Sequence, residues 1–577
     1  MKTAGLVLLA TVTAAATQAA IINVPADETT IQAGIDAAGP GDTVLVAPGH
    51  YSERIDFRGK TITVAGEYLF SGDTAHIVNT VIDAGAAVTG TPNPGSAVSF
   101  AGGEGAGTLL VGFKITGGTG TLSGAGGTGG GGVYCNAGTA EVRNCIINGN
   151  TADYGGGVYC QNSAPLALTD CEITGNEAMM EGGGLGVYSD GRLSLRRCHL
   201  ESNLAPAGLN NTSGFWGDWH PVLTMENCVI AFDQGLYCDQ HDFGVCSLDS
   251  CVLYSVEIKD WSAGSWTITN SHLYSCSIPQ MYADLFLTND SLFDSYVGVL
   301  DRMGHGCVVR NCALIRSGIR NYHAAANVDS SFIGDGITDA GYQYSDVEIK
   351  NSIVYGDITT GGYCISPLIQ NSVVVGTISM SGPWPPTVVE NSTIVDGHVE
   401  IVSMVADDRL EIINSIVFTG GGPAVIIDGG EWADMTLQVG CSDNWGFSGD
   451  DWLGGDAVPV LDTSDLYFLD PLFCDPGNAD YRLQESSVGA PANNNCGVLM
   501  GAKEVGCCCI LRGDVDHDGT VLVLDIIYLV DWLFKPAPAP PCLEEADLNG
   551  NGEVNVLDLI YIVEYMWDYG PPPVPCP

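Results

Sequence analysis

The chain has 577 residues, with 20 Lys and Arg against 68 Asp and Glu, a formal net charge of −48. So acidic a surface repels nucleic acid and anionic lipid, which excludes both as partners, and it favours divalent cations. The 76 glycines follow no collagen-like period, and the 21 cysteines, an odd number, cannot all pair within one chain.

Met1-Lys2, the apolar run Gly5 to Val12 and small residues up to Ala19-Ala20 read as a secretory signal over residues 1–20, with an apolar run too short to span a membrane. No later stretch reaches spanning length. The expectation is a secreted protein, extracellular or cell-surface associated, without membrane insertion. Next, Ile31 and Ile35 stand four apart and predict a short amphipathic helix.

A signature then recurs: Asn or another polar residue, Cys or Ser, any residue, then an aliphatic or Phe. It occurs at Asn144-Cys145, Asp170-Cys171, Arg197-Cys198, Asn227-Cys228, Ser250-Cys251, Asn270-Ser271, Asp290-Ser291 and Asn311-Cys312. It continues at Ser330-Ser331, Asn351-Ser352, Asn371-Ser372, Asn391-Ser392 and Asn414-Ser415. The step between copies is commonly about 20 residues, a length that suits one coil of a solenoid. Short β-branched runs lie between the copies. The pattern predicts a parallel β-solenoid whose coils stack at about 4.8 Å. Asn tolerates the left-handed backbone of a turn and passes amide hydrogen bonds along a column. The following Cys or Ser points inward, which makes most cysteines small buried hydrophobes rather than ligands.

The motif "GGGVYC" at 130–135 and 155–160, alternating with "NGNTADYGGG" and "TGNEAMMEGGG", resembles the right-handed parallel β-helix proteins of the pectin-lyase-like superfamily. The opening "VPADETTIQAGIDAAGPGDTVLVAPGHYSERI" resembles their N-terminal cap, with the helix of Ile31 and Ile35 covering the end of the stack. "DPLFCDPGNADYRLQ" through "NNNCGVLMGAKEVGC" resembles their last coils. The likeness covers residues 21–509 and implies an all-β fold that hosts lyases, hydrolases, esterases and adhesins alike.

Catalysis on this solenoid stays an open expectation. Gly304-His305-Gly306 is similar to a Gly-His-Gly of polygalacturonases, but the paired aspartates and the Arg-Ile-Lys of that family are missing. At a period of about 20, Asp284 falls beside His305, and Tyr282 and Tyr322 flank Arg302. Arg310, Arg316, Arg320 and His323 complete a basic cluster in an acidic chain. Asp284, Arg302 and His305 are therefore the catalytic candidates of a carbohydrate-active enzyme, a glycoside hydrolase or a polysaccharide lyase. Two interruptions, "NNTSGFWGDWHP" and "SDNWGFSGDDWLGGD", predict loops that either protrude, with Trp216, Trp219, Trp445 and Trp452 stacking on sugar rings, or fold over the solenoid as local caps.

Near the C-terminus, "DVDHDGTVLVLD" and "DLNGNGEVNVLD" are two loops of equal length that start at Asp514 and Asp547. Oxygen donors at positions 1, 3, 5, 7 and 12 with Gly at 6 suit calcium. They are Asp514, Asp516, Asp518, the Thr520 carbonyl and Asp525 in the first loop. In the second they are Asp547, Asn549, Asn551, the Glu553 carbonyl and Asp558. Each loop feeds an apolar helix, "IIYLVDWLF" and "LIYIVEYMW". The duplicated loop and helix over residues 511–577 closely resembles a type I dockerin domain, which implies a calcium-dependent cohesin-type partner. The resemblance adds Asn555 to the second ligand set. Two departures stand out. Leu522 replaces a polar residue at position 9 of the first loop, and the partner-choosing positions are the apolar pairs Val523-Leu524 and Val556-Leu557. Cys542 and Cys576, one after each helix, form a symmetric pair that suits a disulfide. The expectation is a calcium-binding modular protein that joins a polysaccharide or other surface ligand to a cohesin-type partner.

Overall fold

The structure is a computed structural model. It describes residues 19–577 apart from 86–94, 206–213, 232–234, 239–243, 261–263, 282, 301–305, 323–324, 340–346, 361–366, 382–386, 404–408, 420, 430–435, 447–452, 456–459, 477–479, 507–508, 510, 517–519, 536–538, 541, 567–570 and 575–577. Residues 1–18 of the expected signal, Tyr282, Arg302, Gly304, His305, His323, Trp452, Asp518, Gly519 and Cys576 therefore lie outside the described residues. The chain divides into two compact units, Met1–Ser317 and Gly318–Pro577.

The first unit is the expected parallel solenoid. Strand Arg192–Arg196 alternates exposed and buried residues, with Leu193 and Leu195 inward. In-register pairing stacks Leu195 under Met225, Leu248, Ile268, Leu287 and Val309, one residue per coil. Such columns are the core, because each coil buries its inward face only against its neighbours. The helix Ile31–Ala37 covers the first coil with Ile31 and Ile35 fully buried, and Thr30 caps it by accepting the Ala33 N–H. Gly34 permits the close approach: a Cβ there would lie 2.8 Å from Val44 Cγ1.

The repeated Asn marks a left-handed bend, with φ from 47° at Asn144 to 59° at Asn289. Its amides form the predicted chain, Asn311 to Asn289 at 3.3 Å and Asn289 to Asn270 at 3.1 Å. The inward residue after the bend is more than a small hydrophobe. Ser271 Oγ accepts the N–H of Cys251 in the preceding coil and donates to the Thr269 carbonyl. Each bend leaves a buried backbone N–H, and a hydroxyl or thiol satisfies it. Burial pushes the Cys276 thiol up to about 11 and Cys312 up to about 12, so these thiols are inert.

A second ladder, fully buried and not expected from the repeat signature, runs along the next bend. Asn150 Nδ2 donates to Asn176 Oδ1 at 3.0 Å, and Asn176 Nδ2 donates to Asn203 Oδ1 at 3.1 Å. Each of the three also donates to an inward carbonyl, of Ile115, Ile147 and Ile173 respectively.

The repeat expected at Asp290-Ser291 is shifted by one residue. Asn289 takes the bend, and Asp290 takes the inward Cys/Ser place. Its carboxylate accepts the N–H groups of Ser271 at 2.7 Å and Thr288 at 2.9 Å. Burial nevertheless pushes its carboxyl up to about 7. A folded value above the unfolded value near 4 contributes stability that is complete below about pH 4 and lost as pH rises through 7. Asp290→Ser restores the column residue. Thermal unfolding should show a stability gain of about 2–4 kcal/mol at pH 8 and little change at pH 4. Equal effects at both pH values would refute a buried charge.

In the second unit the same bend column runs Ser352, Ser372, Ser392, Ser415 and Ser442, each N–H bonded to the next Oγ. The segment expected as last coils departs from that plan. Phe473–Asp475 and Asp480–Leu483 pair antiparallel and pack on the outer face of the coils, where Phe473, Tyr481, Leu483 and Met500 bury Val373, Val395 and Ile416. That face is apolar here, so it needs a cover rather than another coil. Cys441 and Cys496 are joined by a disulfide.

Candidate metal centre and docking face

The C-terminal module folds around Val515, Leu529, Ala546, Leu548 and Ile562, all fully buried. Leu529 lies on helix Val523–Phe534 and Ile562 on helix Val556–Met566, at equivalent places of the two repeats. In the first loop, carboxylate oxygens of Asp514, Asp516 and Asp525 lie within 4.8 Å of one another. Three carboxylates converging at partly buried positions repel unless a cation stands between them. Asp525 also accepts the N–H groups of Asp516 at 3.1 Å and Leu522 at 2.7 Å, tying the loop to its helix.

The second loop repeats this plan. Asp558 accepts the N–H of Asn549 at 3.3 Å and of Asn555 at 2.9 Å. Asp547 accepts from Asn551 at 3.1 Å and Gly552 at 2.9 Å. Gly552, at φ 85°, makes the turn that gathers these groups. Burial first, then the neighbouring Asp547, raises the Asp558 carboxyl. The donors are all oxygens around acidic side chains that are 0 to 6 % exposed at Asp514, Asp525, Asp547 and Asp558. This set fits a hard divalent cation, and calcium bound there would supply the charge that holds the loop closed. Asn555 also caps the second helix, because its Oδ1 accepts the Leu557 N–H at 2.8 Å. Leu522 has no side-chain acceptor with which to cap the first helix in that way. Thr520 is exposed, and Cys542 is disulfide-bonded.

Next to the loops the module exposes apolar side chains. On the first helix Val523, Leu524 and Ile527 are 50, 57 and 50 % exposed, and on the second Val556, Leu557 and Ile560 are 46, 59 and 48 % exposed. These are two copies of one face, related by the duplication of the loop and helix.

The remaining candidates are spread over the first and second units. Asp284 opens strand Asp284–Thr288, where its carboxylate accepts the Gly306 N–H at 3.1 Å from the next coil. Arg316 is held by Asp294 in a bidentate pair at 2.5 and 2.6 Å, which is charge compensation between coils. Trp216 belongs to strand Phe215–Asp218 rather than to a protruding loop. It is 3 % exposed and stacks on Tyr154 at 4.9 Å and Tyr188 at 6.3 Å. Trp219 is 45 % exposed, in a left-handed bend shortly before Val222. Val222 lines an open groove with Glu141, Ala167, Arg192 and Ser194. Trp445 is half-buried at the end of strand Thr436–Trp445. No helix among the described residues is long and apolar enough to cross a membrane.

Two family models match the chain: right handed beta helix region over residues 93–271, and dockerin type I domain over residues 512–566. No curated protein matches. Among solved structures, the Siphovirus 9NA tailspike receptor binding domain aligns with 79 % of this chain and 77 % of its own, at 9 % identity and a TM-score of 0.17. That likeness is too low to carry an argument. The in-register coils and the two calcium-type loops agree with the matched regions, and the chain is a right-handed parallel β-helix protein that carries a type I dockerin domain.

Proposed function

We propose that this is a secreted, calcium-binding modular protein. Its dockerin domain docks on a cohesin-type partner, and its β-helix holds a polysaccharide or another surface ligand. The duplicated apolar face beside the loops carries the reading. Val523, Leu524 and Ile527 and their copies Val556, Leu557 and Ile560 remain half exposed on helices whose other sides are buried. Solvent-exposed apolar side chains repeated in one geometry mark an interaction surface. Calcium acts by fixing the loop ends of both helices, and so the spacing of the face. The groove lined by Glu141, Arg192 and Ser194 supports the second half of the reading, because it sets a few polar groups suited to sugar hydroxyls among apolar side chains.

Calorimetric titration of the full chain with a panel of cohesin domains, in calcium and then in chelator, tests the docking. Binding is expected in calcium, lost in chelator and restored when calcium is returned. Binding that survives chelation, or no binding across the cohesin classes, would overturn it.

A further inference from the structure

Each solenoid coil has an interior corner where the last inward residue of one strand meets the first inward residue of the next. In one coil Asp260 and Trp266 fill the corner, and the buried indole Nε1 donates to Asp260 Oδ2 at 2.7 Å. In the coil before it, Cys238 stands in register with Asp260 and Cys246 with Trp266. The equivalent corner in a coil of the second unit is filled by Met380 and Thr387, whose hydroxyl donates to the sulfur at 3.7 Å. The corner pair is thus a recurring contact that closes the coil from inside. Cys238 and Cys246 are buried, and their sulfurs rest as thiols 3.3 Å apart, closer than two non-bonded sulfurs usually sit.

We propose that Cys238 and Cys246 are a disulfide site, a covalent staple across the corner where the next coil uses a hydrogen bond. The register supports it independently of the sulfur distance. The same two columns hold a 2.7 Å contact one coil later, and Met380 and Thr387 meet at the equivalent corner, so the fold sets these two columns facing each other across the corner. A bond here closes the short connection from residue 239 to residue 245. The oxidant is a small disulfide of the export compartment, so the proposal rests on the secretion reading. Cys238 thiolate attacks that disulfide, forming a mixed disulfide and releasing one thiol. Cys246 thiolate then attacks Cys238 Sγ, the S–S bond forms, and the second thiol leaves. Two electrons and two protons pass to the small disulfide, which leaves as two thiols, and the chain loses two hydrogens. Exchange must precede burial, so it belongs to folding rather than to the finished coil.

The test uses the full chain folded in a glutathione redox buffer, alkylated in denaturant and mapped by mass spectrometry without reduction. The expected result is a peptide with Cys238 linked to Cys246, two hydrogen masses lighter than the dithiol. In Cys246→Ser, Cys238 should then become fully alkylated. Alkylation of both residues in the native sequence overturns the proposal. If Cys441 and Cys496 are bridged in that sample, the buffer has oxidised the chain and the staple alone falls; the secretion reading is judged separately, by whether the protein is recovered outside the cells that make it. A bond from Cys238 to any third cysteine also overturns the staple.

Discussion

Removing calcium is expected to unfold residues 511–577 while the β-helix stays folded, and Asp525→Ala with Asp558→Ala should do the same in the presence of calcium. The module has five fully buried apolar residues at its centre, too few to offset the ordering of so short a chain unaided. In the first loop, Asp514, Asp516 and Asp525 crowd within 4.8 Å. A cation turns that repulsion into folding free energy, about 2.7 kcal/mol per site when free calcium is about 100-fold above its Kd. Position 12 matters twice, because Asp525 and Asp558 also hold N–H groups of their own loops. The solenoid draws its stability from stacked columns such as Leu195, Met225 and Leu248, which are apolar and pack directly on one another. Chelation should also release Glu544 from Arg482, which pairs it with Asp480 of the C-terminal hairpin. Far-UV circular dichroism of the full chain should lose its helical component and keep its β signal and the thermal transition of the solenoid. A solenoid that unfolds with the module would reveal a structural metal that the residues do not announce.

The solenoid was legible because its signal is local and repeated. A left-handed bend accepts few side chains, so Asn270, Asn311, Asn351 and Asn371 reported it directly, at φ near 50°. Spacing failed at one coil. Asn289-Asp290-Ser291 offers two polar residues for the bend, and only the Ser271 N–H reaching Asp290 at 2.7 Å decides which one turns inward. The Asn150, Asn176 and Asn203 ladder had a readable cue in "NGN", "TGN" and "ESN", one copy per coil. That cue falls just after the Asn-Cys motif and has too few copies to stand out as a period of its own. Trp216 misled because "SGFWGDW" has the glycines and aromatics of a loop. In-register pairing with strand Leu185–Tyr188 makes it a strand, and stacking on Tyr154 buries it. The hairpin at Phe473 was unreadable for a different reason: nothing local says that the outer face of coils far earlier in the chain, at Val373 and Val395, is apolar and needs a cover. In the first loop Asp514, Asp516 and Asp525 converge as their spacing predicts, since such donors are fixed by position within a single short loop.

Replacing Leu524 and Leu557 together by aspartate is expected to abolish cohesin binding, whereas either change alone should weaken it only about twofold. Both leucines are more than half exposed, at 57 and 59 %, so neither substitution disturbs the core of Leu529 and Ile562. Each sits directly before its position-12 ligand, Asp525 or Asp558, so calcium fixes both in the same way. The two faces match residue for residue at Val, Leu and Ile, and a partner that reads one can read the other after a half-turn of the module. A single change removes one of two equivalent modes, an entropic loss of about 0.4 kcal/mol, equal to RT ln 2. The double change buries a carboxylate in whichever mode forms, at a cost of at least about 3 kcal/mol, or more than about 100-fold in Kd. Titration of the three variants in calcium, with circular dichroism to confirm the folded module, separates the outcomes. Loss of binding from Leu524→Asp alone or Leu557→Asp alone would mean that the partner reads one face only, and the internal symmetry of the dockerin domain would then be a relic of duplication rather than a second way to dock.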